Sequence, residues 1–394
     1  MSAHAFATQG EHCPFIPVFG APQVMFVRGS GTQLWDTEGR RYLDLLCGLA
    51  VTSLGHANPV VSQALCDQSQ TLLHVSNLFA NDTATAAAQL VNAMIFDATG
   101  DAGQTFFCNS GAEANEAALK LARKFGGRGR HVVVSAYGSF HGRTLAALAA
   151  TGQPSKHEPF FPMPDGFRYA AFGDIDGLRA AIDPTVSAVI LEAVQGEGGV
   201  VVAPNGYLRA VRELCDERGM LMIIDEVQTG FGRTGRWFGF EHHDVRPDVI
   251  TMAKAMGNGF PVGAMWARTE IAAAFRPGDH GSTYSGTALA GAVVLAVLNE
   301  MRRLDVPTMA AEKGAYITTA LQALPGVATV RGQGMLIAAE LAEGRDAKQA
   351  YSDLLALGVV TNAVTATALR IAPPLTISYE EIDEAMQVFA QVLG

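Results

Sequence analysis

The segment from Leu221 to Lys254, LMIIDEVQTGFGRTGRWFGFEHHDVRPDVITMAK, indicates the fold of the chain. Its first residues, LMIID, form an apolar run that ends in a carboxylate, which is typical of a buried strand in a parallel sheet. Twenty-nine residues after Asp225, a second apolar run, DVITMAK, ends in Lys254. If one connection joins two parallel strands, both side chains lie at the sheet edge where open α/β sheets bind ligands.

A buried acid beside a buried amine has two interpretations. Pyridoxal phosphate would use both groups, because a lysine forms a Schiff base with its aldehyde and an aspartate contacts its ring nitrogen. The alternative is an ordinary ion pair or two half-solvated residues, which is the commoner outcome for such spacing. The spacing of Asp225 and Lys254 leaves both interpretations open, so the neighbouring segments must decide between them.

The segments before this one alternate between strand and helix patterns. Apolar runs typical of buried strands, TFFCNS, HVVVSAY and SAVILEAV, each precede a loop and then helical spacing, as in SGAEANEAALKLARKFG. The proline-rich QPSKHEPFFPMPDGF and the stretch AMGNGFPVGAMWA after Lys254 carry turn signals and are predicted to be loops. This alternation predicts an α/β fold with helices packed on a mostly parallel sheet.

The two ends of the chain predict a second, smaller unit. Near the N-terminus, QVMFVRGSGTQLWDTEGRRYLDLL combines β-rich runs with turn signals, which favours a small meander. The C-terminal region mixes strand and helix patterns, and 394 residues suit a large domain plus a smaller one. We therefore expect a large cofactor-binding domain over 56–290, with 291–394 and the N-terminal segment 1–55 forming the small domain.

Composition and charge exclude several classes of protein. A net charge of -10 argues against nucleic acid as a partner, because phosphate backbones require clustered Lys and Arg. The longest apolar run, ALAGAVVLAVL from Ala288, is shorter than the roughly 20 residues that a bilayer requires. The N-terminus, MSAHAFATQGEH, does not resemble a signal peptide, and the five cysteines contain no CxxC pair. A cytoplasmic protein without a membrane segment is expected.

Two further motifs follow predicted strands and could contact a cofactor. Ser110, Gly111 and Ala112 lie where a strand turns into a helix, whose free N–H groups bind phosphate well, although a simple Ser cap has the same pattern. In GSFHGR, Phe140 could stack on a flat ring and Arg143 could bind a carboxylate. A core phenylalanine and a surface arginine are the alternatives.

Two rival kinds of site are disfavoured. The loop QGEGGV, which contains Glu197, does not match a dinucleotide-binding fingerprint, because no GxGxxG follows a first strand and opens a helix. His242, His243 and Asp244 could suggest a metal site, but adjacent histidines seldom converge on one ion. A solvated loop is the expected structure there, and no metal is predicted.

Seven motifs, taken together, resemble a known family. SGAEANEAALKLAR, FHGRT, QGEGGV, IIDEVQTGFGRTG, MAKAMGNGFP, HGSTY and LRIAPPL, in this order, are similar to the class III pyridoxal-phosphate aminotransferases of the acetylornithine and ornithine type. The similarity runs from about Leu34 to the C-terminus. It implies a fold type I transferase, with a mostly parallel central sheet in the large domain and a smaller α+β domain.

The resemblance implies how pyridoxal 5'-phosphate would be held. Lys254 would bind the aldehyde, Asp225 the ring nitrogen and Gln228 the ring hydroxyl, and Phe140 would stack on the ring. The phosphate would bind to Ser110, Gly111 and Ala112. Lys254 and Asp225 would thus be the catalytic pair.

The resemblance also implies roles in substrate binding and assembly. Ser282 and Thr283 would reach the phosphate of the neighbouring subunit, which makes a homodimer with shared active sites obligatory. Arg143 would bind the distal carboxylate of the substrate and Arg370 the α-carboxylate of glutamate. Glu197 would cover Arg370 while an ω-amine is bound, because an unpaired buried arginine would cost several kcal/mol.

Several positions depart from the family pattern, among them Ala193, which replaces a usual proline before QGEGG. Thr287 and Ala288 stand where the family has Asn and Pro, although Thr287 can still cap the next helix. Asn258 replaces a glycine, and Asn tolerates a left-handed backbone. Phe19 falls where ornithine aminotransferases have a tyrosine that meets a free α-amine, which favours an acylated α-nitrogen in the substrate.

The expected reaction passes the ω-amino group of N2-acetylornithine to 2-oxoglutarate, giving N-acetylglutamate semialdehyde and glutamate, a step of arginine biosynthesis. Ornithine, succinylornithine, 4-aminobutyrate or another diamine is an alternative donor for the same residues. A second alternative is an aminomutase or racemase of the same fold. A catalytically inactive binding protein is disfavoured because Asp225, Gln228, Lys254 and both arginines are present.

Overall fold

The computed structural model describes residues 15–20 and 22–394, so the N-terminal stretch MSAHAFATQGEH lies outside the described residues. Its strands, in chain order, are β1 (Phe26–Ser30), β2 (Gln33–Asp36), β3 (Arg41–Asp44), β4 (Gly103–Cys108), β5 (Val132–Ala136), β6 (Phe167–Ala170), β7 (Val186–Glu192), β8 (Val194–Gln195), β9 (Val201–Val202), β10 (Leu221–Asp225), β11 (Val249–Met252), β12 (Gly263–Arg268), β13 (Val327–Gln333), β14 (Leu336–Leu341), β15 (Val359–Val360), β16 (Asn362–Ala363) and β17 (Ala368–Ile371).

Helices connect and cover these strands. They are α1 (Cys47–Ala50), α2 (Pro59–Ser69), α3 (Asp82–Thr99), α4 (Gly111–Gly126), α5 (Leu145–Ala150), α6 (Ile175–Ala181), α7 (Tyr207–Arg218), α8 (Thr269–Ala272), α9 (Ala288–Leu304), α10 (Val306–Gln322), α11 (Ala347–Ala356) and α12 (Tyr379–Leu393). Short 3-10 turns occur at Pro154–Lys156, Glu158–Phe160, Gly239–His243 and Lys254–Gly257. Among the described residues, none of the helices has both the length and the apolar character needed to cross a bilayer.

Within residues 22–394, seven strands form the central sheet, in the order β4-β12-β11-β10-β7-β5-β6. Strand β10 pairs in parallel with β11 on one side and with β7 on the other. The prediction that LMIID and DVITM form parallel strands of one sheet is therefore confirmed, and the pairing shows that they are neighbours. Strand β12 runs antiparallel between β11 and β4, which makes the sheet mixed.

Two strands of this sheet lie partly or wholly in segments for which the sequence predicts loops. Strand β6 begins at Phe167, the last residue of the proline-rich loop. Strand β12 covers GAMWAR in the segment after Lys254, and its residues from Gly263 to Ala267 are buried. Because both faces of β12 are covered, it lacks the alternating pattern of a half-exposed strand, and its pairing with β4 and β11 fixes it.

The smaller sheets join both ends of the chain. Strands β1, β2 and β3 form the predicted antiparallel meander, and β15 from the C-terminal region pairs in parallel with β3. A separate antiparallel sheet has the order β13-β14-β17-β16. Strands from both ends of the described chain thus share one sheet, and the division into domains remains a prediction. Helix α9 packs on α2 and α3 and spans the boundary predicted at residue 290.

Helix α4 shows how local sequence positions the site. Ser110 caps the helix with a side-chain oxygen that accepts the Glu113 N–H at 3.2 Å. The apolar face of the helix, rich in Ala and Leu, is buried against the central sheet. The N-terminus of α4 is thereby held beside the carboxyl ends of β10 and β11.

Candidate active site

A cavity of about 420 Å³ lies at the carboxyl ends of the parallel strands. This is the position at which open α/β sheets bind their ligands. Predicted site residues that line it are Ser110, Gly111, Ala112, Phe140, Arg143, Glu197, Asp225, Gln228 and Lys254. The structure therefore brings together one end of α4, the loop after β5, the β8–β9 hairpin and the ends of β10 and β11.

The carboxylate of Asp225 is buried at the end of β10 and has three hydrogen-bond donors among the described residues. Its Oδ2 accepts from Asn115 Nδ2 and from His141 Nδ1, both at 2.8 Å, and its Oδ1 accepts from the Val227 N–H at 3.0 Å. Thr251 in turn donates to the Asn115 side-chain oxygen at 2.7 Å. These donors fix the direction of the side chain, which suits it to contact with a ring nitrogen.

Lys254 follows strand β11 by two residues and has a left-handed backbone, with φ of 45°. Its side chain lines the cavity, and no hydrogen bond to its amine is present within residues 22–394. Burial is the main cause that lowers the pKa of Lys254, to about 8. The amine is therefore unprotonated far more often near neutral pH than an ordinary lysine, as a nucleophile or base requires.

The N-terminus of α4 forms one wall of the cavity. A side chain at Gly111 would bring its Cβ within 2.8 Å of Val227, so only glycine allows this close approach. The free N–H groups and dipole of this 16-residue helix favour an anion. The wall suits a phosphate group, and phosphate binding by Ser110, Gly111 and Ala112 remains a prediction.

The loop after β5 supplies the opposite wall. Phe140 is partly buried and lines the cavity, and the Arg143 guanidinium lies 5.6 Å from the centre of its ring. Arg143 is exposed at the mouth of the cavity, and no ion pair to it occurs in the described part of the chain. An exposed, uncompensated guanidinium of this kind can bind an incoming carboxylate.

Arg370 and Glu197 contact each other, as the sequence predicts. Arg370 is 1% exposed on strand β17, and its Nη1 donates to Glu197 Oε1 at 2.5 Å. Asn362 accepts from Nε at 3.1 Å, whereas Nη2 has no partner in the part of the chain that the structure describes. Burial raises the pKa of Glu197, but the charge and hydrogen bond of Arg370, together with smaller effects of Lys254 and Gln228, outweigh burial, and the pKa lies below its ordinary value.

Gln228 lies beside this pair. Its Oε1 is 3.5 Å from Arg370 Nη1, and a Cβ at Gly196 would lie 1.8 Å from that same oxygen. The glycine-rich hairpin thus approaches Gln228 as closely as its backbone permits. Contact with a ring hydroxyl remains a prediction for Gln228.

Ser282 and Thr283 do not line the cavity of their own chain. The Ser282 hydroxyl accepts from Asn109 Nδ2 at 3.1 Å, and Thr283 is exposed. Nearby, the segment that contains Leu78 and Phe79 exposes 85% and 70% of these two side chains. Large exposed apolar residues next to a site are typical of an interface with another chain.

The structure accommodates two of the residues that depart from the family pattern. Asn258 has a left-handed φ of 45°, and its side-chain oxygen accepts the Leu54 N–H at 2.7 Å. Thr287 caps helix α9 by accepting the Ala290 N–H at 3.1 Å. Phe19 is 86% exposed and lies outside the cavity lining, so the structure adds nothing to the inference that its position favours an acylated substrate.

Comparison with known proteins decides the family. The family model described as aminotransferase class-III matches residues 19–393. The chain belongs to the class III aminotransferases. It is thus a pyridoxal-phosphate-dependent transaminase.

Individual relatives share nearly the full length of this aminotransferase. It is 46% identical to the acetylornithine aminotransferase of Corynebacterium efficiens, with 95% of this chain and 94% of the relative aligned. Its structure is similar to that of an ornithine aminotransferase from Toxoplasma gondii, with a TM-score of 0.90, 31% identity and coverage of 96% and 92%. N-acetylornithine aminotransferase from Stenotrophomonas maltophilia gives a TM-score of 0.81, 33% identity and coverage of 94% and 95%.

The residues present fit the cofactor of this family. The cavity offers a buried amine for the aldehyde, a held carboxylate for the ring nitrogen, an aromatic wall and a helix N-terminus for the phosphate. Its volume lies within the range common for cofactor and ligand sites. Pyridoxal 5'-phosphate is therefore the cofactor of this aminotransferase.

Several residues of the site do not appear in the sequence predictions. His141 and Asn115 hold Asp225, Asn362 contacts Arg370, and Glu192 lines the cavity at the end of β7. His141 could have been noticed as the neighbour of Phe140 in the FHGRT motif. Contacts between residues this far apart in sequence cannot be inferred from the spacing of motifs alone.

Proposed function

We propose that this aminotransferase moves the ω-amino group of N2-acetylornithine to 2-oxoglutarate, giving N-acetylglutamate semialdehyde and glutamate. The arrangement of its two arginines carries the proposal. Arg370 is buried and already paired with Glu197, whereas Arg143 is exposed at the cavity mouth without an ion-pair partner within residues 22–394. The 46% identity to an acetylornithine aminotransferase supports the same substrate.

The two substrates require carboxylate sites at different distances from the reacting carbon. N2-acetylornithine carries its carboxylate far from the ω-amine, whereas glutamate has one adjacent to its amine. Arg143 at the mouth suits the distant carboxylate, and Arg370 beside Gln228 suits the near one. The hydrogen-bonded Glu197 neutralises Arg370 when no carboxylate is there, and a carboxylate that arrives can displace Glu197 from Nη1 and also accept from the unpartnered Nη2.

The remaining roles follow from position in the cavity. Lys254 would bind the cofactor aldehyde, Asp225 and Gln228 would contact the ring, Phe140 would cover it, and the phosphate would bind at the α4 N-terminus. When bound, the cofactor supplies an aldehyde that takes up the amino group and a ring that accepts electrons as the substrate C–H bond breaks. The free Lys254 amine can accept the proton from the substrate carbon and return it.

Because Glu197 pairs with Arg370, replacement of Glu197 should change the half-reactions with the two substrates by different factors. Replacement of Glu197 by Gln leaves Arg370 charged and uncompensated whenever the ω-amine is bound, so kcat/KM for N2-acetylornithine is expected to fall about tenfold or more. The half-reaction with glutamate should be unchanged or faster, since its carboxylate no longer displaces Glu197. Single half-reactions followed by stopped-flow absorbance measure both quantities.

A second Arg–Glu pair provides the control. Glu340 pairs with Arg331 at 2.7 Å on neighbouring strands and does not line the cavity. Replacement of Glu340 by Gln should leave the ratio of the two half-reaction rates unchanged. An equal fall of both half-reactions in the Glu197 variant would contradict the proposed role.

The amino donor is tested by a panel of amines. With 2-oxoglutarate as acceptor, N2-acetylornithine should give a higher kcat/KM than ornithine, succinylornithine and 4-aminobutyrate. A higher value for one of the others would identify that amine as the substrate of the same site. Conversion of any amine over many turnovers in the absence of 2-oxoglutarate would instead indicate an aminomutase or racemase.

We also propose that the active unit is a cytoplasmic homodimer. The exposed Leu78 and Phe79 support it, because side chains of this size gain most from burial against a second copy. The Ser282 carbonyl accepts from Asn77, which ties the Ser282 segment to this apolar surface. Cytoplasmic location is supported by Cys47, Cys66, Cys108 and Cys215, which are free thiols in the described part of the chain.

The dimer proposal predicts complementation between two defective variants. Loss of both hydroxyls, in Ser282→Ala with Thr283→Ala, should weaken cofactor affinity about tenfold, because hydrogen bonds to a charged phosphate are lost. A mixed dimer contains one subunit without the two hydroxyls and one Lys254→Ala subunit. One of its two active sites then has an intact Lys254 and receives intact hydroxyls from the partner subunit, so this site should regain wild-type cofactor affinity. Cofactor titration of the mixture measures this, and failure to recover would place the two hydroxyls in their own subunit's site.

A further inference from the structure

Glu192 is a buried carboxyl group of the active site to which no role has yet been given. It is the last residue of β7, only 7% exposed, and lines the cavity. In the parallel pairing of β7 with β10 it is directly beside Asp225. Paired residues of neighbouring strands are about 5 Å apart and point to the same face of the sheet. The floor of the site therefore contains two adjacent carboxyl groups.

The hydrogen-bond donors are distributed unequally between the two acids. Asp225 receives three, from Asn115, His141 and Val227. Among the described residues, Glu192 accepts one hydrogen bond, from the Phe140 N–H at 3.2 Å, and forms no ion pair. Hydrogen-bond donors stabilise a carboxylate more than they stabilise a carboxylic acid, so the negative charge belongs on Asp225.

The charged groups around Glu192 do not reverse this preference. Asp225 on β10 and Glu197 on the β8–β9 hairpin are acidic, while Lys254 after β11 is the opposing cation. Burial first, and then the Asp225 carboxylate, raise the pKa of Glu192 well above its ordinary value. In a closed site, ionisation of two adjacent carboxyl groups is unfavourable because their negative charges repel each other. One of the two groups therefore keeps its proton.

We infer that Glu192 is a positioning residue that works as a neutral carboxylic acid, keeping its proton while Asp225 carries the charge. Its carbonyl-type oxygen accepts the Phe140 N–H and so fixes the loop that bears the aromatic wall. The single charge stays under the ring nitrogen, beside the donors that orient it. This role extends the proposed function, but it concerns the protein's own charge state and does not depend on which amine is the substrate.

Infrared spectroscopy of the apoprotein tests the protonation state directly. The difference spectrum between wild type and Glu192→Gln, recorded at about pH 8, should show the C=O stretch of a protonated carboxylic acid. Glu226→Gln is the matched comparison, since burial raises the pKa of that carboxyl to about 7 and it should be mainly ionised at this pH. A carboxylate band lost on Glu192→Gln would overturn the inference.

Thermal unfolding of the apoprotein gives a second reading. A raised pKa in the folded state means that the folded protein binds more protons than the unfolded chain above the ordinary glutamate pKa. Stability contributed by the proton is then lost as pH rises. The melting temperature of Glu192→Gln relative to wild type should therefore increase with pH above about 4.5. A difference that does not change with pH would contradict a neutral acid.

Cofactor affinity distinguishes a role of Glu192 in positioning the Phe140 loop from a role in filling space alone. Gln at 192 is neutral and keeps an acceptor for the Phe140 N–H, so the dissociation constant of pyridoxal phosphate should stay within about threefold of wild type. Leu at 192 fills the space but leaves that N–H unpaired, and affinity should fall about tenfold. Loss of more than about tenfold in Glu192→Gln would show that an ionised Glu192 is required.

Discussion

Replacement of Lys254 by Ala is expected to lower the rate of amino transfer by about 10² to 10⁴-fold, the usual contribution of a positioned general acid or base. The amine is buried in the cavity, and burial lowers its pKa to about 8, so the wild-type side chain can both accept and return a proton near neutral pH. Alanine cannot do either. Steady-state kcat at saturating cofactor and substrate measures the loss, and a small primary amine added to the variant should restore part of it.

A second buried lysine provides the matched control. Lys313 is 8% exposed in helix α10, 3.5 Å from the Leu375 carbonyl and outside the cavity lining. Its replacement by Ala should change stability without changing kcat. Equal kinetic losses in the two variants, or no loss on removal of Lys254, would contradict the assignment of Lys254.

The pH dependence of folding distinguishes Lys254 further. Its pKa in the folded protein, about 8, lies below its ordinary value of 10.5, so between these values the unfolded chain binds more protons. Stability of the wild-type apoprotein therefore gains a contribution from Lys254 as pH rises through this window. The Lys254→Ala apoprotein should lack that contribution, and melting temperatures measured across the window detect the difference.

Replacement of Asp225 by Asn should lower kcat by about 10² to 10³-fold, as for loss of one preorganised electrostatic partner. The asparagine side chain has one acceptor oxygen for the donors Asn115, His141 and Val227, and its amide turns a donor towards one of them. It also carries no charge to keep a ring nitrogen protonated. Measurement at saturating pyridoxal phosphate separates this effect from weaker cofactor binding.

Asp248 is the control for a buried aspartate without a catalytic role. It is 4% exposed and bridges Arg212 and Arg268 away from the cavity. Replacement of Asp248 by Asn should lower the melting temperature and leave kcat within about threefold, because only a structural ion pair is weakened. If Asp225→Asn kept wild-type kcat, the proposed role of the carboxylate would be wrong.

The parts of the fold that depend on local sequence could be predicted. The neighbouring strands β10 and β11, the capped helix α4 and the N-terminal meander all follow from apolar runs, caps and turn residues. Strand β12 could not, because both its faces are buried by tertiary packing and its sequence contains no alternation. The left-handed backbone of Lys254 likewise depends on the surrounding fold rather than on its neighbours in sequence.

The site residues that could be predicted most directly are those that lie at the end of a single strand or helix. Lys254, Asp225 and Ser110 are of this kind, and the contact of Glu197 with Arg370 was predicted from the family resemblance. Glu192 was overlooked because the run SAVILEAV was interpreted only as a strand. A carboxylate inside such an apolar run is itself a signal, since buried acids require a reason.

The central claim is that the Lys254 amine holds the aldehyde of pyridoxal phosphate. Borohydride reduction of the protein with bound cofactor, followed by peptide mass spectrometry, tests it most directly, because reduction makes the bond between amine and aldehyde permanent. We expect one cofactor per chain, attached to the peptide that contains Lys254, and no such product in Lys254→Ala. Stoichiometric attachment to another lysine, such as Lys156 or Lys313, would contradict the account.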